Sequence, residues 1–269
     1  MPRHQSKIPI VVIGGGNGSA IIINALKHHR DRFEISAVVS VSDSGGSSGR
    51  LRKELGVLPP GDILRAILAM SPYEYHVLKQ IFYRNRFANV GKLDGHNVGN
   101  LFLVLAEKYG NDYYASVRAL EQAVNAIGHV FPSTLEKTNL VVELSNGSLV
   151  KGEADIDRPT YDRALRIQKA WLEPAGKAYD GARKAIEKAA VIILSPGSLY
   201  TSVVSALLPI GMREAIERSN AKLLYLPGSA YELAGETGPE KLSEFVHELQ
   251  RYLARHIDLV IPYVDTLNA

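Results

Sequence analysis

Short apolar runs alternate with amphipathic segments along the chain, in the order expected for a sheet covered by helices. The run from Ile10 to Ile13 is apolar at every position, which is typical of a strand buried on both faces. A glycine-rich turn follows it, then a helical segment from Ser19 to His29 and a second strand from Ile35 to Val41. A strand, turn, helix and strand of this length predict a βαβ unit with parallel strands.

The second half of the chain repeats this alternation after a different middle section. The middle section is predicted to be mostly helical, in pieces at 61–71, 73–87, 97–110 and 112–127. A hairpin is expected around Asn146-Gly147, because this pair separates two extended runs. An irregular segment at 155–163 and a strand near 164–170 follow. The remaining predicted elements are helix 180–188, strand 190–194, helix 199–208, helix 211–218, strand 222–226, helix 240–254 and strand 258–261.

This order predicts an α/β fold with a mainly parallel sheet and a helical insertion at about 61–127. We expect a single domain over residues 1–269, because the length lies within the range of one large domain. The content of 46% hydrophobic and 22% charged residues excludes general disorder. The absence of cysteine excludes disulfides, cysteine-ligated metals and thiol catalysis.

Charge and apolar run length indicate which partners to expect. The formal net charge is +3, from 31 basic and 28 acidic residues, and no basic block stands out, so no nucleic-acid partner is predicted. The longest apolar runs, such as 101–106, are far shorter than the roughly 18 residues of a membrane-spanning helix. The N-terminus lacks the apolar core of a signal peptide. The sequence therefore predicts a cytoplasmic protein without a membrane partner.

The first turn with candidate chemistry runs from Gly14 to Ser19, between a strand and a helix. Four of its first five residues are glycine, which lets a ligand approach the backbone closely. The N–H groups at the start of the following helix favour phosphate. The turn matches neither the dinucleotide fingerprint nor a Walker A loop, so it predicts an anionic ligand without indicating NAD. A tight turn that needs glycine only for its geometry is the alternative.

The second turn runs from Asp43 to Arg50 after the second predicted strand, and we predict it to be a loop. Asp43 occupies the position of the acidic residue that binds ribose in dinucleotide-binding folds. Backbone N–H groups, serine hydroxyls and the Arg50 guanidinium together can bind phosphate. The alternative is a flexible surface loop that binds no ligand. Asp62, which follows Pro59-Pro60-Gly61, is interpreted either as a helix N-cap or as a metal or substrate ligand.

Two further segments lead into helices. In the segment 95–100, Asn97 is a good N-cap, and Asn100 needs a polar partner because the helix is apolar. His96 is interpreted as a hydrogen-bonded structural residue, a general base or a ligand donor. The segment from Ser195 to Ser202 is rich in hydroxyl groups but lacks the pattern of an acylating serine. It is predicted to bind phosphate or sugar, with a plain capping turn as the alternative.

Taken in this order, the segments resemble the superfamily that contains bacterial gluconeogenesis factors (YvcK-like) and archaeal 2-phospho-L-lactate transferases (CofD-like). The resemblance is carried by Gly14–Gly18, Asp43–Arg50, Leu55–Asp62, Gly95–Leu101, Pro196–Ser202 and Gly235–Thr237. The forms GGSSGRLR, PPGD and PGSLYTS are more similar to the gluconeogenesis-factor branch. The chain differs from the usual family pattern at Asn17 and in the segment 226–231.

The resemblance implies a Rossmann-like three-layer fold with a nucleotide at the carboxyl ends of the strands. Bacterial members bind UDP-sugars and influence carbon metabolism, cell-wall synthesis and cell shape, so a UDP-sugar-binding regulatory protein is expected. The transferase branch uses a nucleoside-diphosphate-linked donor with Mg²⁺. A transferase of that type is therefore the alternative, and the sequence does not decide whether the chain is an enzyme. A homo-oligomer is also expected.

The expected nucleotide-binding residues come from four segments. They are Gly14, Gly15, Gly16, Asn17, Gly18, Asp43, Ser44, Gly45, Gly46, Ser47, Ser48, Gly49, Arg50, His96, Asn97, Asn100, Gly197, Ser198, Tyr200, Thr201 and Ser202. No cofactor is predicted firmly. If Mg²⁺ is used, the expected ligands are Asp43 and Asp62, because oxygen donors suit this cation.

Overall fold

The computed structural model describes residues 6–110, 112–228 and 237–263. Its strands and helices largely follow the predicted alternation. The strands are β1 (Ile8–Gly14), β2 (Phe33–Val39), β3 (His129–Pro132), β4 (Asn139–Leu144), β5 (Leu149–Lys151), β6 (Ile167–Glu173), β7 (Val191–Leu194), β8 (Lys222–Tyr225) and β9 (Leu259–Val260). The α-helices are α1 (Gly16–Leu26), α2 (Gly46–Leu55), α3 (Gly61–Met70), α4 (Tyr75–Lys79), α5 (Val98–Gly110), α6 (Tyr113–Ala123), α7 (Glu153–Asp157), α8 (Asp180–Lys188), α9 (Ser205–Leu207), α10 (Met212–Arg218) and α11 (Leu242–Gln250).

The central sheet confirms the predicted parallel α/β architecture. Its strand order is β3-β2-β1-β7-β8-β9, and every neighbouring pair is parallel. The chain builds outward from β1 through β2 to β3, then crosses back to β7 and builds outward on the other side. Loops at the carboxyl ends of β1 and β7 therefore diverge, and a crevice forms between them. A second sheet, β5-β4-β6, is antiparallel and contains the predicted hairpin.

Two apolar cores cover the two faces of the central sheet. Successive side chains of β1 enter different cores, because side chains alternate along a strand. Val12 packs with α1, α3 and α6, whereas Val11 and Ile13 pack on the other face with α8, α10 and α11. The antiparallel sheet packs into this second core through β4 and β6. The result is the Rossmann-like three-layer fold.

Some local predictions were wrong. The residues after Asp43 do not form a loop, because α2 begins at Gly46. Its glycines and serines have low helix propensity, but burial of Leu51 outweighs this. Gly49 is needed in the helix because a Cβ there would overlap the Ser44 carbonyl oxygen. The irregular segment at 155–163 overlaps α7, and β3 was not predicted. Both are short elements whose formation depends on tertiary contacts.

The helix expected at 199–208 is also different in kind. It begins as a π-helical turn at Leu199–Val204 and continues as α9. Another π-helical turn, Gln80–Arg84, extends α4 within the helix predicted at 73–87. Residues 61–123 form helices that lie between β2 and β3 in the chain, and α3 packs directly on the central sheet.

Gly128 packs so closely against β2 that we expect any larger residue at this position to destabilise the fold. A Cβ at position 128 would overlap the Ile35 carbonyl oxygen. Gly128→Ala should therefore lower the free energy of unfolding by about 1–3 kcal/mol, because either the backbone or the β2–β3 pairing must shift. Urea denaturation measures this difference. Gly110→Ala is the control, since no neighbouring atom would contact its Cβ; equal losses in both variants would contradict the explanation.

Candidate functional site

Three turns meet at the carboxyl edge of the central sheet, after β1, β2 and β7. We call them the first turn (14–19), the second turn (43–50) and the third turn (195–202). Ser19 and Ser195 hydroxyls lie 2.9 Å apart and are hydrogen-bonded in the interior. Gly18 rests on the third turn so closely that a Cβ would overlap the Pro196 carbonyl oxygen. Glycine is required at this position because the two backbones touch.

Helix N-termini at the first and second turns carry no side-chain caps. Gly15 is the N-cap residue of α1 and Gly45 that of α2, and neither can offer a capping side chain. Neither helix has an acidic residue in its first turn. The first N–H groups of a helix need acceptors, and together with the helix dipole they attract anions. This pair of N-termini matches the chemistry predicted for a diphosphate.

Asp62 lies beside the first turn rather than capping a helix. The N-cap residue of α3 is Pro60, and Asp62 belongs to the first helical turn, where it is buried. A Cβ at Gly15 would overlap the Asp62 carboxylate, so that carboxylate touches the glycine turn. Its charge is paired with Arg65, one helical turn later.

Arg65 balances the carboxylates of the site. Its guanidinium bonds to Asp62, donates to the Tyr83 hydroxyl at 3.0 Å and stacks on that ring, with a 5.1 Å distance to the centroid. Burial disfavours its charge, but the neighbouring carboxylates, Asp62 first, hold the pKa of Arg65 above its usual range. Arg65 therefore stays charged, and Asp62 is held in place beside the first turn.

Three further carboxylates surround this pair. Asp43 accepts a hydrogen bond from the Gly45 N–H at 2.8 Å, yet burial and the nearby Asp62 raise its pKa. Burial, followed by Asp43 and Asp62, raises the pKa of Glu153 well above its usual value. Burial also raises the pKa of Asp157, although this carboxylate accepts a 2.7 Å hydrogen bond from the Thr201 hydroxyl. The crowding of like charges means that a cation or a hydrogen-bond donor would be stabilised here.

A buried network joins the second turn to α5. The Ser47 hydroxyl lies 2.8 Å from Nδ1 of His96 and accepts from the Asn100 side-chain amide at 3.1 Å. Asn97 caps α5, as predicted, by accepting from the Asn100 N–H at 2.7 Å. Desolvation lowers the pKa of His96, so its ring is neutral at pH 7 and acts here as a structural hydrogen-bond partner. Oδ1 of Asn100 is buried without a partner.

A cavity of about 360 Å³ opens beside the second turn. The second turn, α7 and the start of α5 form its walls. The lining residues are Asp43, Gly45, Gly46, Ser47, Ser48, Gly61, Tyr83, Arg86, Asn100, Glu153, Ala154, Asp157 and Arg158. Its mixture of carboxylates, hydroxyls, amides and guanidinium groups suits a polar ligand, and we refer to it as the α7 cavity.

Known proteins share this architecture across nearly the whole chain. Residues 10–268 match the family described as "2-phospho-L-lactate transferase CofD". The chain is 38% identical to the gluconeogenesis factor of Halalkalibacterium halodurans, over 82% of this chain and 67% of that protein. It is 36% identical to the gluconeogenesis factor of Listeria innocua, over 87% and 70% respectively. A Bacillus halodurans crystal structure, 34% identical, covers 96% of this chain and 81% of its own with a TM-score of 0.86.

The chain belongs to the CofD family. A second Bacillus halodurans crystal structure, described as a member of the UPF0052 family, is 33% identical with a TM-score of 0.85 and covers 96% of this chain and 81% of its own. The expected superfamily and fold are confirmed by these similarities. The described part of this CofD-family chain has no helix of sufficient length and apolarity to cross a membrane. The expected homo-oligomer stays a prediction.

The structure of this CofD-family chain brings most predicted site residues together, with two exceptions. Arg50 is exposed on α2, where its guanidinium donates to the Asp94 carbonyl, outside the α7 cavity. Tyr200 is buried in the second core and lines a separate cavity of about 320 Å³ with Gly238 and His247. The family segment at 235–236 and residues 229–231 of the altered segment 226–231 lie outside the described residues.

Several residues of the site were not identified from the sequence. Glu153 and Asp157 lie on the unpredicted helix α7, and Arg65 reaches Asp62 from within α3. The Lys79 ammonium lies 3.2 Å from Oδ1 of Asn17, which places a cation beside the first turn. Arg65 could have been found from its position three residues after Asp62 on a helix. The others are distant in sequence from the turns that they approach.

Metal binding by three protein side chains finds no support. Within residues 6–110, 112–228 and 237–263, no group of three or more histidines and carboxylates is arranged to hold a metal ion. Asp62 lies close enough to Asp43 to raise the pKa of that carboxyl, but Asp62 is already paired with Arg65. The carboxylate of Asp43 is left as the better oxygen donor.

The neutral ring of His96 predicts a pH effect on stability. The pKa of His96 is lowered in the fold and ordinary, about 6.5, in the unfolded chain. Between these values the unfolded chain binds more protons, so this group makes the free energy of unfolding fall as pH drops below about 6.5. His96→Asn should weaken that dependence, as measured by urea denaturation at pH 7.5, 6.5 and 5.5.

The control is the same substitution at the exposed His28. His28→Asn should keep the pH dependence of the unmodified protein. If His96→Asn also keeps it, the structural role of the neutral ring is refuted.

Proposed function

We propose that this chain binds a nucleotide sugar of the UDP-sugar type at the three turns. Through this binding it would regulate carbon metabolism, cell-wall synthesis and cell shape. The observation that carries the proposal is the pair of uncapped helix N-termini of α1 and α2, which follow the adjacent strands β1 and β2 beside the point where the strand order reverses. Parallel α/β sheets bind their ligands at such a point. The gluconeogenesis-factor names of the relatives give the proposal its regulatory context.

In this binding mode, backbone N–H groups of the first and second turns hold the diphosphate. Lys79, beside Asn17, supplies a positive charge to the same group. In the third turn, the Ser202 hydroxyl lies beside Gly15 of the first turn and the Ser198 hydroxyl bonds to Asp157, and both can contact the remainder of the ligand. Gly14, Gly15 and Gly18 keep the first turn close enough to its neighbours for all three turns to contact one ligand.

Calorimetric titration with UDP-N-acetylglucosamine, UDP-glucose and GDP tests the proposal. Heat of binding is expected with the uridine nucleotides, and absence of heat with every ligand would refute nucleotide binding. Lys79→Met should weaken UDP-glucose binding about tenfold, because a charged donor to phosphate is lost. Lys188→Met is the matched control. Lys188 is exposed at the end of α8, just before β7, on the opposite edge of the sheet.

The crowded carboxylates favour a second candidate function, a transferase that uses a nucleoside-diphosphate-linked donor with Mg²⁺. Asp43, Asp62 and Glu153 raise the local negative charge, which a divalent cation would offset. The residues fit Mg²⁺ bound by the Asp43 carboxylate together with diphosphate oxygens, since this ion is held by few carboxylates and by substrate phosphates. When bound, Mg²⁺ would supply stabilisation of charge developing on the phosphates. Asp62, paired with Arg65, would orient the first turn.

A binding measurement separates this role from a structural one. Mg²⁺ should raise the affinity for GDP in the unmodified protein, and Asp43→Asn should abolish that rise. Asp31→Asn, an exposed residue in the turn that precedes β2, should leave the Mg²⁺ effect unchanged. An equal Mg²⁺ effect in the unmodified protein and in Asp43→Asn would remove Asp43 from the metal assignment.

A further inference from the structure

The α7 cavity is unusually rich in hydrogen-bond acceptors. The carboxylates of Asp43, Glu153 and Asp157 line it. Asn100 lines it too, is only 2% exposed, and has its Oδ1 atom buried without a partner. A buried acceptor that lacks a donor is costly, so this atom indicates that a ligand or water completes the site. The lining therefore suits a ligand group that carries several hydrogen-bond donors.

The acceptors of α7 are held in place by two of the three turns. The Ala154 N–H donates to the Ser44 hydroxyl of the second turn at 3.0 Å. At the other end of the helix, Asp157 accepts from Thr201 of the third turn at 2.7 Å. A helix of one turn is marginal alone, and these contacts fix its position. The cavity therefore has a preformed wall next to the proposed diphosphate turns.

The positive charges around the cavity are partly engaged elsewhere. Arg65 is paired with Asp62 behind the wall, and Arg86 donates to the Gly95 carbonyl at 2.7 Å. Arg86, Arg158 and Asp157 are exposed at the rim, whereas Glu153 is half-buried and faces Asp43. The inner wall is therefore more negative than the rim. A ligand group that carries its own carboxylate would meet repulsion there.

We propose that the α7 cavity receives the glycosyl group of the nucleotide sugar and selects an uncharged, polyhydroxylated sugar over one that carries a carboxylate. Glu153 and Asp157 are the specificity-determining residues. Sugar hydroxyls would donate to these carboxylates and to Oδ1 of Asn100. This inference rests on the proposed function, because the diphosphate places the sugar beside α7. A volume of about 360 Å³ lies within the range of small-molecule sites.

Calorimetric titration with UDP, UDP-glucose and UDP-glucuronate tests the selection. The last two ligands differ only in that a carboxylate replaces the hydroxymethyl group of the sugar. The unmodified protein should bind UDP-glucose at least about tenfold more tightly than UDP-glucuronate, because like charges repel in a partly desolvated site. Asp157→Asn removes a charge while keeping an acceptor for Thr201. It should reduce that preference severalfold.

Asp155→Asn is the matched control. It is the same substitution on the same helix, at an exposed position that does not line the cavity, and it should keep the unmodified preference. If no uridine nucleotide binds, the proposed function fails and this inference with it. If UDP binds but the unmodified protein shows no preference between the two sugars, the inference alone is overturned. The same holds if UDP binding survives in Asp157→Asn but its preference equals that of Asp155→Asn.

Discussion

The contact between the first and third turns is the constraint on which the site depends. These turns leave adjacent parallel strands, β1 and β7, whose connections run to opposite sides of the sheet. They would separate from each other if nothing held their first residues. Gly18, packed against the Pro196 carbonyl, and the hydrogen bond between Ser19 and Ser195 hold them together. This contact is what turns the ends of two strands into one crevice.

Electrostatics then determine what this crevice can hold. Helix N-termini bring partial positive charge to the first and second turns, while four carboxylates bring negative charge to the same region. The negative charge of unpaired carboxylates would cancel the attraction of the helix N-termini for an anion. Arg65 neutralises Asp62, the carboxylate nearest the glycine turn, so the region beside the helix N-termini still favours phosphate. The remaining carboxylates line the α7 cavity, which the start of α2 also lines, so the two kinds of chemistry are adjacent there.

The sequence predicted the parts of this site that depend on local chemistry. Strand β1, its glycine turn and α1 follow from an apolar run and a cluster of glycines, and the Asn97 cap follows from residue type. Helix α2 was missed because its glycines and serines have low intrinsic propensity, and burial of Leu51 decides its formation. The acceptors of α7 could not be found, since Glu153 comes near Asp43 only when the antiparallel sheet packs on the central one.

The origin of α7 has a consequence for the family. The turns proposed to bind phosphate belong to the central sheet, where a change in Gly18 or Asp62 would disturb the crevice itself. Helix α7 instead connects β5 and β6 of the antiparallel sheet, whose strands lie between β3 and β7 in the sequence. This helix touches the turns at few points. Its side chains can therefore change without altering the backbone of the proposed diphosphate site. The match to a family named for a transferase and to relatives named gluconeogenesis factors is consistent with an independently variable wall beside the proposed phosphate site. In this chain, the side chains of that wall are mainly hydrogen-bond acceptors.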